Sequence, residues 1–156
     1  MDDAGHDPDP VPDQDSGQGS EHDAWHRRLH HVRSRNLSDA TAQTPGMRRR
    51  AAISRGATGA EAIWMGENTV HGGVASDNHH HGESETGIYV LSGHPVFVFA
   101  EGDTERRIET EPGDYVFVPP FVPHREENPG DEDAVVILAR STQEAIVVNL
   151  PTLFGD

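Results

Sequence analysis

Three consecutive histidines, His79, His80 and His81, lie in one short segment, and a fourth, His124, follows a proline-rich turn. Neutral imidazoles are ligands for zinc, iron, nickel and copper. Two histidines at i and i+2 on a strand face the same way, because side chains alternate with period 2. His79 and His81 therefore form one facing pair, with His80 turned outward. A third imidazole, His124, delivered from a distant strand, would close a metal site. The turn before His124 contains Pro119, Pro120 and Pro123. Proline fixes φ and restricts the residue before it, so this turn would hold His124 with little freedom.

Strands must position such residues, and the sequence supplies them. From about residue 47 onward, short β-rich runs alternate with turn signals built on Gly, Pro, Asp and Asn. Candidate strands are 51–54, 60–65, 69–74, 88–91, 96–100, 106–110, 115–118, 134–140 and 145–149. Many short strands at this spacing predict an all-β sandwich or barrel. Tyr89, Leu91, Phe97, Phe99, Tyr115 and Phe117 are expected in its core, and Trp64 and Phe121 nearest its mouth. Ahead of this domain, residues 1–46 form an extension. Its first 23 residues carry eight acids, no Lys or Arg, and three prolines. That composition cannot bury enough apolar surface to offset the entropy of ordering, so the extension is expected to be largely disordered. The segment 25–35 is basic, and Trp25, Leu29 and Val32 share one face of a helix if a helix forms.

Two spacings now acquire a family context. Gly73, His79 and His81 fit the pattern G-x5-H-x-H, and Gly113, Pro119, His124 and Asn128 fit G-x5-P-x-G-x2-H-x3-N, with Phe121 in place of the second pattern's inner glycine. In order and together, they resemble the two motifs of the cupin superfamily across residues 47–150. The resemblance implies a double-stranded β-helix, or jelly-roll barrel, over 47–156, with one divalent transition metal in its mouth. Zinc or iron leads, with manganese or nickel next. It also implies a glutamate ligand after the histidine pair. Ungapped spacing to Gly93 puts that position at Thr86, whereas parity with residues 79 and 81 favours Glu85. We take Glu85 as the fourth ligand beside His79, His81 and His124, with a bulge near Gly87 absorbing the extra residue. Three histidines alone, or Glu83, are the alternatives. Residues 79–93 are further similar to the zinc cupin domain of bacterial hydrazine-forming synthetases, which work with a synthetase-like partner.

Composition narrows the chemistry. The chain has no cysteine and no lysine, its 12 basic residues all being arginine. Thiolate ligands, disulfides and Schiff-base lysine catalysis are thereby excluded. The net charge of −15 argues against nucleic acid and anionic membrane as partners. Both halves share it: residues 1–44 hold nine acids against four arginines, and the rest eighteen against eight. No apolar run approaches a membrane span, and no signal-peptide pattern opens the chain, so a cytoplasmic location is expected. The leading expectation is a small-molecule enzyme using one divalent metal, by iron-dependent oxygen chemistry or by a non-redox zinc route. The alternative is a non-catalytic ligand- or partner-binding module. A homodimer is the expected assembly. Arg125 and Arg140 are candidates to grip a carboxylate, each weighed against an ordinary solvated strand residue.

Overall fold

The computed structural model describes residues 27–143 and 147–154. Contacts divide the chain into Met1–His30 and His31–Asp156. Of the first unit only 27–30 are described; they have no regular structure, and Leu29 is fully exposed. The acidic segment, residues 1–23, and Trp25 lie outside the described residues.

The second unit is almost entirely β. Its strands are β1 (Met47–Ile53), β2 (Trp64–Val70), β3 (His79–His80), β4 (Thr86–Ser92), β5 (Val96–Glu101), β6 (Thr104–Glu109), β7 (Tyr115–Val118), β8 (His124–Glu127), β9 (Ala134–Arg140) and β10 (Val148–Asn149). A four-residue helix, α1 (Arg55–Thr58), interrupts them. The Ser54 side chain caps its start and Gly59, at φ 73°, ends it. The expected strands at 60–65 and 69–74 are one strand, 64–70, and the expected strand at 145–149 lies partly outside the described residues. Residues 38–44, ahead of β1, run along it. Ser38 bridges to Ala51, and the Ala42 carbonyl accepts from Arg49 Nη1 at 2.6 Å.

Two five-stranded sheets result, ordered β1-β2-β9-β4-β7 and β10-β3-β8-β5-β6, with every ladder antiparallel. This is the two-sheet architecture expected of a jelly roll. Alternation sets the interior. In β2 and β9 every second residue is buried, Trp64 to Val70 and Ala134 to Arg140. Cross-strand register then stacks the inward residues in rows. Thr86, Arg140 and Trp64 form one row across β4, β9 and β2, and Ile88, Leu138, Gly66 and Ala51 the next. Val90, Val136, Asn68 and Arg49 form the third. Gly66 is needed where it is: a Cβ there would meet the Arg50 carbonyl and the Trp64 ring. The apolar core joins Trp64, Ile88, Val90, Phe97, Val118, Val136 and Leu138.

Several aromatic expectations are corrected. Leu91, Tyr115 and Phe117 are exposed, because the inward positions of β4 and β7 are 86, 88, 90 and 118. Trp64 is core, under Arg140, and Phe121 is an exposed turn residue.

Candidate metal centre

His79 and His124 face each other directly across the β3–β8 ladder. Their ring centroids are 4.5 Å apart, and those of His81 lie 5.2 Å from His79 and 4.8 Å from His124. All three rings are buried, with at most 3% of their surface exposed. One ligand nitrogen from each lies within 4.8 Å of the others. His80 turns away from the cluster, half-buried beside Phe121.

The hydrogen bonds fix which nitrogen is free. His79 Nδ1 lies 2.8 Å from the Asp77 carbonyl and His124 Nδ1 lies 3.0 Å from the Val122 carbonyl. A carbonyl only accepts, so both Nδ1 atoms carry the proton and both Nε2 atoms hold a lone pair. Each of these Nε2 atoms is buried with no hydrogen-bond partner. His81 reaches the same tautomer differently. Arg140 Nη2, which only donates, sits 3.3 Å from His81 Nε2, so His81 Nδ1–H donates to Thr86 Oγ1 at 2.9 Å. Orienting a ligand imidazole through its second nitrogen is the usual support of a metal site.

Burial reinforces this state. It pushes His79 and His124 down to about 4 and His81 well below its ordinary range, with the Arg140 charge adding to the shift at His81. The three rings are therefore neutral at pH 7 and available as ligands.

Glu85 is not part of the cluster. It is exposed, and its backbone exchanges hydrogen bonds with Ser141, whose Oγ accepts from Glu85 N at 3.0 Å and whose N–H donates to Glu85 O at 3.1 Å. Glu83 is exposed as well. The parity argument fails because β3 stops at His80 and Gly82 turns the chain at φ 54°, so the alternation does not run from His81 to residue 85. β4 begins at Thr86, whose inward face is the even one, and the ungapped spacing to Gly93 was the better guide. No bulge occurs at Gly87; the register shift lies between Val90 and Ser92.

Around the histidines the interior holds charged residues that their types alone do not announce. Arg49, Glu126 and Arg140 are each at most 2% exposed. Asn68 Nδ2 donates to Glu126 Oε2 at 3.1 Å, and Arg140 lies over the Trp64 ring, 5.5 Å from its centroid. Burial lowers Arg140 to about 10, with Arg49 adding to the effect, so it remains a cation at neutral pH. Arg125, by contrast, is on the outer face, paired with Glu105 at 3.0 Å and Glu127 at 2.7 Å. Beside the cluster, a cavity of about 350 Å³ runs between the sheets, lined by Phe97, Ile108, Val118, Val122 and His124 among others.

Residues 67–140 match the family model described as the cupin domain. The chain carries a cupin domain. Solved cupin-like structures agree with its fold. Oxalate decarboxylase from Bacillus subtilis at pH 4.6 is 27% identical with a TM-score of 0.61, covering 69% of this chain and 28% of that one. A second structure of that enzyme, reported for its Mn(II) centres, is 25% identical with a TM-score of 0.61, covering 72% and 30%. This chain thus spans under a third of the decarboxylase. The polyketide cyclase RemF from Streptomyces resistomycificus is 23% identical with a TM-score of 0.62, covers 81% of this chain and 86% of that one, and supports the fold alone. No curated protein matches the chain. Within the cupin domain, the second-motif residue Asn128 is structural: its Nδ2 donates to the Val70 and Glu132 carbonyls at 3.0 and 2.7 Å. Among the described residues, no helix is long and apolar enough to cross a membrane.

Proposed function

We propose that this cupin domain holds one divalent metal through His79, His81 and His124, and that the chain is a metal-dependent enzyme acting on a small molecule. One observation carries the reading: three Nε2 lone pairs converge in a buried pocket, each fixed by a partner on the opposite nitrogen. Three neutral donors leave a divalent ion its full charge and open positions, the condition for Lewis-acid chemistry or for activating water or oxygen. The protein's own residues supply the rest. The Asp77 and Val122 carbonyls and Thr86 orient the ligands, and the barrel excludes bulk water. The apolar cavity that reaches His124 admits a small molecule, which favours catalysis over a purely structural ion.

Zinc and iron(II) both suit three imidazoles, and they part on oxygen. An iron enzyme consumes dioxygen with its substrate. A zinc enzyme does not, and fits the hydrazine-forming route with a separate synthetase-like partner. The test is elemental analysis of tag-free protein, followed by metal-dependent oxygen uptake. Close to one equivalent of a transition metal in the wild type, lost in His124→Ala, is the expected result. Absence of stoichiometric metal after incubation with zinc, iron(II) and manganese would overturn the reading.

A further inference from the structure

We propose that the barrel is also an anion receptor: Arg140 takes the carboxylate of a small organic acid with an apolar body, and acid and metal each strengthen the binding of the other. This rests on the reading that the three histidines hold a metal. The first observation is Arg140 itself. It is 2% exposed, yet its Nε and Nη1 are buried with no hydrogen-bond partner, and its Nη2 has only His81 Nε2. Buried guanidinium groups are almost always fully bonded. An unsatisfied fork of this kind suits a planar carboxylate, which accepts two parallel N–H bonds.

The second observation is charge. The buried ionic residues near the cluster are Arg49 and Arg140 against Glu126 alone. Glu126 is already bonded to Asn68, and Arg49 Nε also lacks a partner. The interior therefore carries a surplus of one positive charge, which a divalent ion would raise further. A monoanion relieves it.

The third observation links the two ligands. The Arg140 N–H rests on the lone pair that a metal requires from His81. Binding the ion breaks that contact and leaves Arg140 wanting an acceptor inside the barrel. A carboxylate near the ion provides it, so the two equilibria are coupled and the coupling is reciprocal. The cavity lined by Phe97, Ile108, Val118 and Val122 meets the cluster at His124 and suits the apolar body of such an acid.

The test compares isosteres on the full, tag-free chain. Co(II) affinity is measured with saturating cyclohexanecarboxylate and, separately, with cyclohexanecarboxamide. The acid should tighten Co(II) binding by about tenfold, the amide should not, and Arg140→Gln should erase the difference. Equal effects of acid and amide on the wild type would overturn the proposal, and that arm stands even where the variant fails to fold. If Co(II) does not bind, the coupling falls, while the metal reading is decided by the incubation with zinc, iron(II) and manganese. The receptor itself is then judged by Trp64 fluorescence in Trp25→Phe, which leaves Trp64 as the sole tryptophan of the chain's two. A change with the acid alone retains the receptor, and no change removes it.

Discussion

The sheet that carries β3 and β8 turns acceptors into the barrel, whereas the sheet that carries β1, β2, β4 and β9 turns donors into it. From the first come the Nε2 lone pairs of His79 and His124, with His81 just beyond β3, and the Glu126 carboxylate. From the second come the Arg49 and Arg140 guanidiniums and the Asn68 amide; Thr86 Oγ1, on the same sheet, is the exception and accepts from His81 Nδ1. Thr86 and Asn68 bridge the halves, one bonded to His81 and the other to Glu126. The three-histidine cluster thus belongs to the seam between the sheets. Either half alone would be a cluster of buried polar groups without partners, which proteins avoid.

Removing an acceptor ligand should have the largest effect. His124→Ala should weaken metal binding by more than about 100-fold, beyond the loss typical of a supporting residue. His80→Ala and Glu85→Ala should bind metal like the wild type, since one ring turns away and the other side chain is exposed. Metal titration monitored by competition with a chromophoric chelator checks all three. A strong loss in Glu85→Ala would restore that residue to the ligand set.

Next comes the acceptor that balances the donor sheet. Glu126 is buried, and its charge is felt by both Arg49 and Arg140. Glu126→Ala leaves two buried cations uncompensated and orphans the Asn68 amide. The expected loss is about 3 kcal/mol in denaturant unfolding. Glu126→Gln keeps a partner for Asn68 and should lose less. Equal losses in the two variants would mean that charge, rather than the hydrogen bond to Asn68, is what Glu126 contributes.

The acceptor half also sets a pH dependence. Burial depresses His79 and His124 from an ordinary value of 6.5 to about 4 in the folded chain. The unfolded chain therefore binds more protons between those values, and stability must fall as pH drops through that window. Metal-free protein should hold a constant melting temperature above about pH 7 and lose several degrees by about pH 4.5. Replacing both histidines with Gln should flatten this part of the curve. An unchanged slope would assign the acid sensitivity to His81, which burial also depresses, or to carboxylates elsewhere.

The acceptor sheet was legible in the sequence because its ligands sit at fixed spacings. His79 and His81 declared a facing pair, and the proline turn fixed where His124 enters. The donor sheet was harder to read. Arg140 shares parity with Ala134, Val136 and Leu138, and Arg49 with Met47 and Ala51, so alternation pointed both inward. Residue type argued the other way, because arginine is seldom buried. The burial of Arg49 and Arg140 depends on distant partners, such as the Ala42 carbonyl, that no local pattern announces. Glu85 misled for a local reason: parity is meaningful only within an unbroken strand, and Gly82 breaks this one.

The smallest effect is expected at the turn that carries His124 into place. Phe121 has φ 62°, the left-handed region, at the position where the cupin pattern places glycine. A residue with a Cβ gives up about 1–2 kcal/mol there. Glycine would remove that cost but add about 0.5–1 kcal/mol of conformational entropy to the unfolded chain. Phe121 is 62% exposed, so little burial is lost with its ring. Its N–H, which donates to the Gly82 carbonyl at 2.7 Å and ties the His124 loop to the His81 turn, remains in glycine. Phe121→Gly should therefore raise the melting temperature by about 2 °C and leave metal affinity unchanged. A lower melting temperature would show that the contact between the Phe121 and His80 rings, 5.9 Å apart, outweighs the backbone cost. Weaker metal binding at unchanged stability would show instead that the ring helps hold the acceptor half in register.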